Sequence, residues 1–223
     1  MTRKLVLLHK RRAGTAVDAF HAALAAACED DAAIAGLTRY VQSHTLVQGY
    51  RKGELLFDAV EEFSFASRAA AADFLAGPAF AAVRGRRAAL VDAAAGIVMA
   101  VDVHRVKNQP VPLGAVKNIE FVNRRPTVAL SAFRRYWREV HGPLGATIPS
   151  MLRYEQNHLA PEAYLPDEPA PRFDGLAITW FASTAAMRAG AETQAYALTR
   201  ADEAAFLPDG HLPIIITREV LER

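Results

Sequence analysis

The sequence predicts an α+β protein made of two tandem ferredoxin-like βαββαβ repeats, and three observations carry that expectation. First, the chain is written twice: "FHAALAAACEDDAAIAGLTRYVQSH" (20–44) resembles "FRRYWREVHGPLGATIPSMLRYEQNH" (133–158), and "FDAVEEFSFAS" (57–67) resembles "FDGLAITWFAS" (173–183), at an offset of about 113 to 116 residues. Second, hydrophobic patterning within each copy alternates between strand and helix periods in the order strand, helix, strand, strand, helix, strand. Third, "KNQPVPLGAV" lies between the copies and has the Pro/Gly content of a connection. The expected domains are therefore residues 1–108 and 114–223.

The second copy shows the elements most clearly. "AVKNIEFVN" reads as a strand. Residues 127–141 read as a helix with Thr127 as N-cap, ended by Gly142 and Pro143. Phe133, Trp137, Val140 and Leu144 form its apolar stripe, with His141 at the flank. "MLRYEQNHL" and "LAITWFA" are strands on either side of a loop rich in Pro, Glu and Asp; residues 184–205 are largely helical, and "LPIIITREVL" is the last strand. Such a repeat carries its helices on one sheet face and leaves the other bare, which invites two copies to pack face to face around a cavity.

Composition narrows the function. With 223 residues the chain buries a sizeable core without staples, and its single cysteine, Cys28, allows no intramolecular disulfide. The apolar run after "MTRK" is too short for a signal segment, and no window reaches the roughly 20 apolar residues of a membrane span. A cytoplasmic protein without membrane association is expected. The net charge of +2, with basic pairs scattered among acids, gives no nucleic-acid footprint. There is no Gly-rich phosphate loop, dinucleotide fingerprint or zinc-like His/Cys spacing. No cofactor is expected, although one histidine suffices to ligate haem.

"YWREVHGPL", "LRYEQNH", "FDGLAITWF" and "DEAAFL", in that order, resemble the EthD domain family of the dimeric α/β-barrel superfamily. The resemblance covers nearly all of the second copy and, more weakly, the first. It implies two EthD-like domains packed as an intrachain dimeric α/β barrel, a monomer with its pseudo-dimer complete or a homodimer of such chains. It also implies a menu of activities: cyclases, dehydratases, isomerases, cofactor-free monooxygenases, haem-handling proteins and accessory proteins of degradation pathways.

Tyr40, Gln42 and His44 in the first copy, and Tyr154, Gln156 and His158 in the second, alternate along a strand and so share a face. A polar set of this kind is expected to line the inter-sheet cavity as a small-molecule site, with Trp180 as a further wall. His141 stands in the family's "HGPL" hallmark, and histidine is suited to proton transfer near neutrality. Cys28 takes its place in the first copy, followed by "EDD" (29–31), whereas Glu62 stands where the second copy has Ile178. Each half keeps a candidate that the other has lost, so one working site is expected. The expected catalytic groups are His158, His141, Glu62 and His44, with Tyr154, Gln156, Tyr40 and Gln42 binding substrate. Asp202 and Glu203 are read as capping or solvated. The expected activity is acid–base chemistry beside a carbonyl, namely isomerisation, dehydration or cyclisation of an apolar or aromatic oxygenated substrate. The alternatives are a cofactor-free monooxygenase or haem-binding protein, and a non-catalytic accessory protein.

Overall fold

A computed structural model describes residues 2–28, 34–166 and 168–223; the "EDD" segment, 29–31, lies outside them. The chain divides into two compact units, Met1–Asp102 with Thr217–Arg223, and Val103–Ile216.

Unit 1 contains β1 (Arg3–His9), α1 (Val17–Ala26), β2 (Leu37–Thr45), β3 (Ala59–Phe65), α2 (Arg68–Ala76), α3 (Pro78–Arg87) and the first half of β4 (Ile97–Asn108). Its antiparallel sheet runs β4-β1-β3-β2, with Leu5 opposite Phe63 and Gln42 opposite Glu61. Ser67 caps α2 through its hydroxyl, which accepts from the Ala70 amide. Gly77 is extended before Pro78, so the second helix of the repeat is split in two.

Unit 2 repeats the plan: β5 (Val116–Val122), α4 (Leu130–Tyr136), a π turn (Trp137–His141), α5 (Gly142–Gly145), β6 (Met151–Leu159), β7 (Gly175–Phe181), α6 (Thr184–Ala191), α7 (Gln194–Asp202) and the start of β8 (Ile214–Glu222). Asn118 pairs with Thr179, which pairs in turn with Tyr154. The units differ from the sequence repeats at their edges. The far end of β4 lies beside β6, and the far end of β8, from Thr217, pairs with β2.

Three expectations about the helix before β6 are corrected. Thr127 is not its cap; the helix begins at Leu130 after an extended Ala129 with no side-chain cap. Nor does the helix stop at His141. Pro143 has no N–H to give the preceding turn, and the ladder widens, with the Gly142 amide reaching back to the Trp137 carbonyl. The extra residue of the π turn advances the helix face. Val140, expected inside, is therefore 45% exposed, and His141 is turned inward at 7%.

Candidate active site

The two Tyr-Gln-His triplets, expected on the bare side of the sheet, instead face the helices of their own unit. Gln42 donates to the Leu24 carbonyl of α1 at 3.4 Å, and Gln156 donates to the Trp137 carbonyl at 2.6 Å, the corresponding position in the second copy. Gly142 makes the second bond possible, because a Cβ there would lie 2.7 Å from the Gln156 amide nitrogen. The opposite faces carry buried charge as well as alkyl groups. Glu62 is paired there with Lys4 at 2.8 Å, and Trp180 is stacked with Lys117 and Arg153.

The same helix-facing space is filled in unit 1 and open in unit 2. Unit 1 packs Leu5, Phe63, Phe65, Phe74, Phe80 and Val83 into one cluster with Tyr40 and Cys28. At the positions corresponding to Leu5, Leu7, Phe63, Phe74 and Val83, unit 2 has Asn118, Glu120, Thr179, Gly190 and Thr199. These smaller or polar residues line a pocket of about 210 Å³, together with His141, Tyr154, Ala177, Phe181, Met187, Tyr196, Arg200 and Glu203.

In unit 1 the polar groups of this layer neutralise one another. The Glu61 carboxylate is fully buried. It accepts from His9 at 2.6 Å, from Arg87 at 2.7 Å and from the Tyr40 hydroxyl at 2.5 Å. Burial opposes its ionisation, but His9 and Arg87 outweigh that and hold its pKa well below the carboxylate range. Burial, followed by the charge of Glu61, pushes the Cys28 thiol up to about 12, so it is no nucleophile. His44 is stacked on His21 at 4.3 Å, and burial lowers its pKa to about 4. A shallower groove of about 460 Å³ over α3 reaches His9 and Arg87, but both are bound to Glu61.

Unit 2 has the opposite electrostatics. Ala177 stands at the place of Glu61 and Glu203 at the place of Arg87, so the carboxylate and its counter-ion are both gone. Burial first, then the charge of Glu203, raises the pKa of Glu120 to about 7; the Asn118 amide, donating at 3.1 Å, and Arg200 oppose the shift. The Glu203 pKa is also raised by burial, against its ion pair with Arg200. His141 is bonded through Nδ1 to Asp202 at 2.8 Å, and Asp202 also accepts from the Tyr136 hydroxyl at 2.7 Å. A carboxylate can only accept, so Nδ1 carries the proton and Nε2 is the basic atom. Burial lowers the His141 pKa, with Asp202 opposing, which favours the neutral ring.

Of the residues singled out from sequence, the structure brings His141 and Tyr154 to this pocket. His158 lies further along the same face with its ring 4.4 Å from that of Trp137 and its Nε2 3.3 Å from Gln156, and burial lowers its pKa to about 3. Gln156 supports the pocket from behind through Trp137 and Tyr154. His44, Tyr40 and Gln42 belong to the filled unit, and Glu62 and Trp180 to the other sheet faces. Sequence reasoning missed Glu120 and Asn118, and it read Asp202, which orients His141, as a capping group. The signal was present in the repeat: "NIE" places polar residues where the first copy has "LVL". Among the described residues no cluster of three or more metal-binding groups occurs, and no helix is long and apolar enough to cross a membrane.

Residues 125–209 match the EthD domain family. No curated protein matches the chain. Among solved structures, an anthrone oxidase-like protein is similar with a TM-score of 0.62 at 12% identity, over 100% of this chain and 92% of that one. A proposed monooxygenase from Lactobacillus acidophilus is similar with a TM-score of 0.58 at 13% identity, over 99% and 94%. A mutant chlorite dismutase from Candidatus Nitrospira defluvii is similar with a TM-score of 0.53 at 8% identity, over 99% and 92%. At these identities the likeness establishes the fold alone, an antiparallel α+β fold.

Proposed function

We propose that this protein, whose residues 125–209 match the EthD domain family, is a small-molecule enzyme whose unit 2 removes a proton beside a carbonyl of an apolar or aromatic substrate. The observation that carries this reading is Glu120, a carboxyl with a pKa near 7 on the wall of a pocket shared with His141. A base poised at the working pH combines a useful ionised fraction with a useful proton affinity. The step balances simply: the Glu120 carboxylate takes the proton, and the C–H electron pair moves into the carbonyl to give an enolate. His141, oriented by Asp202 with its Nε2 free to accept, takes that proton on from Glu120 and returns it through Nε2, so that delivery to another carbon gives isomerisation, and delivery to a leaving hydroxyl gives dehydration. Arg200, paired with Glu203, keeps a positive charge near the developing enolate.

A second reading follows the same enolate to oxygen, and the anthrone oxidase-like and monooxygenase neighbours favour it. Anthrone plus O2 would give anthraquinone plus water, the ring CH2 becoming a carbonyl. Both readings share the proton-transfer step and part only at the fate of the enolate.

The test is exchange of the protons beside the carbonyl of 1-tetralone and anthrone in D2O, followed by NMR, with oxygen consumption and absorbance near the Soret region recorded on the same sample. Faster exchange with the protein, cut by at least about tenfold in Glu120→Gln, supports the proposal. Exchange at the buffer rate sinks it. Oxygen uptake with anthrone selects the second reading, and a Soret band would show a haem protein instead.

A further inference from the structure

The two halves of the chain differ at one point that identifies the substrate's reactive group. In unit 1 the Tyr40 hydroxyl donates to the Glu61 carboxylate at 2.5 Å. Tyr154 occupies the same strand position in unit 2, opposite Thr179 as Tyr40 is opposite Phe63, yet its surroundings are reversed. Its oxygen accepts from Trp137 Nε1 at 3.1 Å and from Gln156 Nε2 at 3.3 Å. Both partners are donors, so both bonds fall on the oxygen's lone pairs. The phenolic proton has no acceptor among the described residues, although the side chain is 3% exposed and lines the pocket. A buried donor left without a partner is costly, which makes an absent acceptor the natural complement of the site.

Where that acceptor belongs is shown by Ala177, whose methyl group leaves empty the place of the Glu61 carboxylate. We infer that the carbonyl oxygen of an aryl ketone substrate occupies in unit 2 the position that the Glu61 carboxylate occupies in unit 1, and that Tyr154 donates to it. The inference rests on the proposed site and specifies its ligand. The body of the ligand follows from the neighbouring positions. Phe63 packs against Tyr40 in unit 1, and the smaller Thr179 leaves the volume of its ring to the pocket in unit 2, whereas the room beside Gly190 is taken by Ser150 and Ile148. A flat aromatic framework with a carbonyl at its edge fills the space that the first unit fills with its own side chains. Tyr154 then has a role beyond holding the ketone. As the proton leaves for Glu120, charge collects on the ligand oxygen, and a donor already aimed there binds the enolate more strongly than the ketone. Burial raises the Tyr154 pKa, against Gln156 and Trp137, and keeps the phenol a donor.

The test uses 1-tetralone with the full-length protein, measuring its dissociation constant by calorimetry and its carbonyl stretch by infrared difference spectroscopy. Tyr154→Phe should weaken binding roughly tenfold and move the stretch back to higher wavenumber, since one hydrogen bond to the ligand is lost. A second variant, Ala177→Glu with Glu203→Arg, imports the pair found in unit 1 and should abolish binding while the protein remains folded by circular dichroism. Unchanged affinity and stretch in Tyr154→Phe, undiminished binding in the double variant, or no binding of 1-tetralone by the wild type would each overturn the inference. A tetralone that binds with a Tyr154-dependent stretch, but shows no exchange of its protons, overturns the proton-transfer reading and leaves this one standing.

Discussion

Gln156 donates its side-chain amide to the main-chain carbonyl of Trp137 at 2.6 Å, and the same carbonyl accepts the Gly142 amide across the π turn. This double use of one carbonyl fixes where His141 points, because the π turn sets the rotation of the helix that carries it.

Gly142→Ala tests that relationship. Its Cβ would sit 2.7 Å from the Gln156 nitrogen and 3.2 Å from the Trp137 oxygen. Relief requires breaking the amide bond or straightening the turn, at a cost of about 1–3 kcal/mol. A urea titration should show the loss, and proton exchange in 1-tetralone should fall with it as His141 is displaced.

Thr179→Phe places in unit 2 the ring that Phe63 contributes to unit 1. Ligand binding should disappear while the melting temperature holds or rises, because the ring fills existing space. A variant that melts normally and still binds 1-tetralone would show that the ligand site lies elsewhere.

Glu120 gives the protein a defined pH response. Its folded pKa of about 7 is above the ordinary 4.5, so the folded state holds the proton more tightly. Its contribution to stability is complete below about pH 4.5 and is lost as pH rises through about 7. Glu120→Gln should therefore be the more stable protein at pH 8, with the advantage gone at pH 4.5, as denaturation at the two pH values would reveal. Activity runs the other way, because the base must be ionised, and the rate should rise through pH 7. Glu203→Gln removes a neighbouring negative charge and should move that rise to lower pH.

Arg87→Ala addresses the filled unit. It strips Glu61 of its guanidinium partner, and a buried carboxylate robbed of its counter-ion costs about 3–5 kcal/mol. Equilibrium unfolding should report that loss. Cys28 should resist thiol reagents in the folded wild type and become reactive when the variant opens.

The fold was legible because it depends on pattern. Strand and helix periods, the repeat and the linker are all properties of residue order, and the aligned positions of Leu24 and Trp137 prove to do the same work in the two units. The site was legible only in part. His141 and Tyr154 could be picked out by motif and alternation, but alternation says which residues share a face and not which face the helices cover. For that reason the triplets were expected on the wrong side, and Glu62 stood out instead of its neighbour Glu61.

The sequence by itself determined the two βαββαβ repeats, their inequality, and the presence of a histidine at the end of a conspicuous helix. Tertiary structure alone decided that the helix widens at Trp137 and turns His141 inward, that Asp202 orients it, and that Glu120 titrates near neutrality. The physical reason is that a pKa and a pocket are made by what surrounds a residue after packing. Ala177 and Thr179 are residues like any others in the chain until Glu61 and Phe63, at the same positions in the other unit, show what space they leave open.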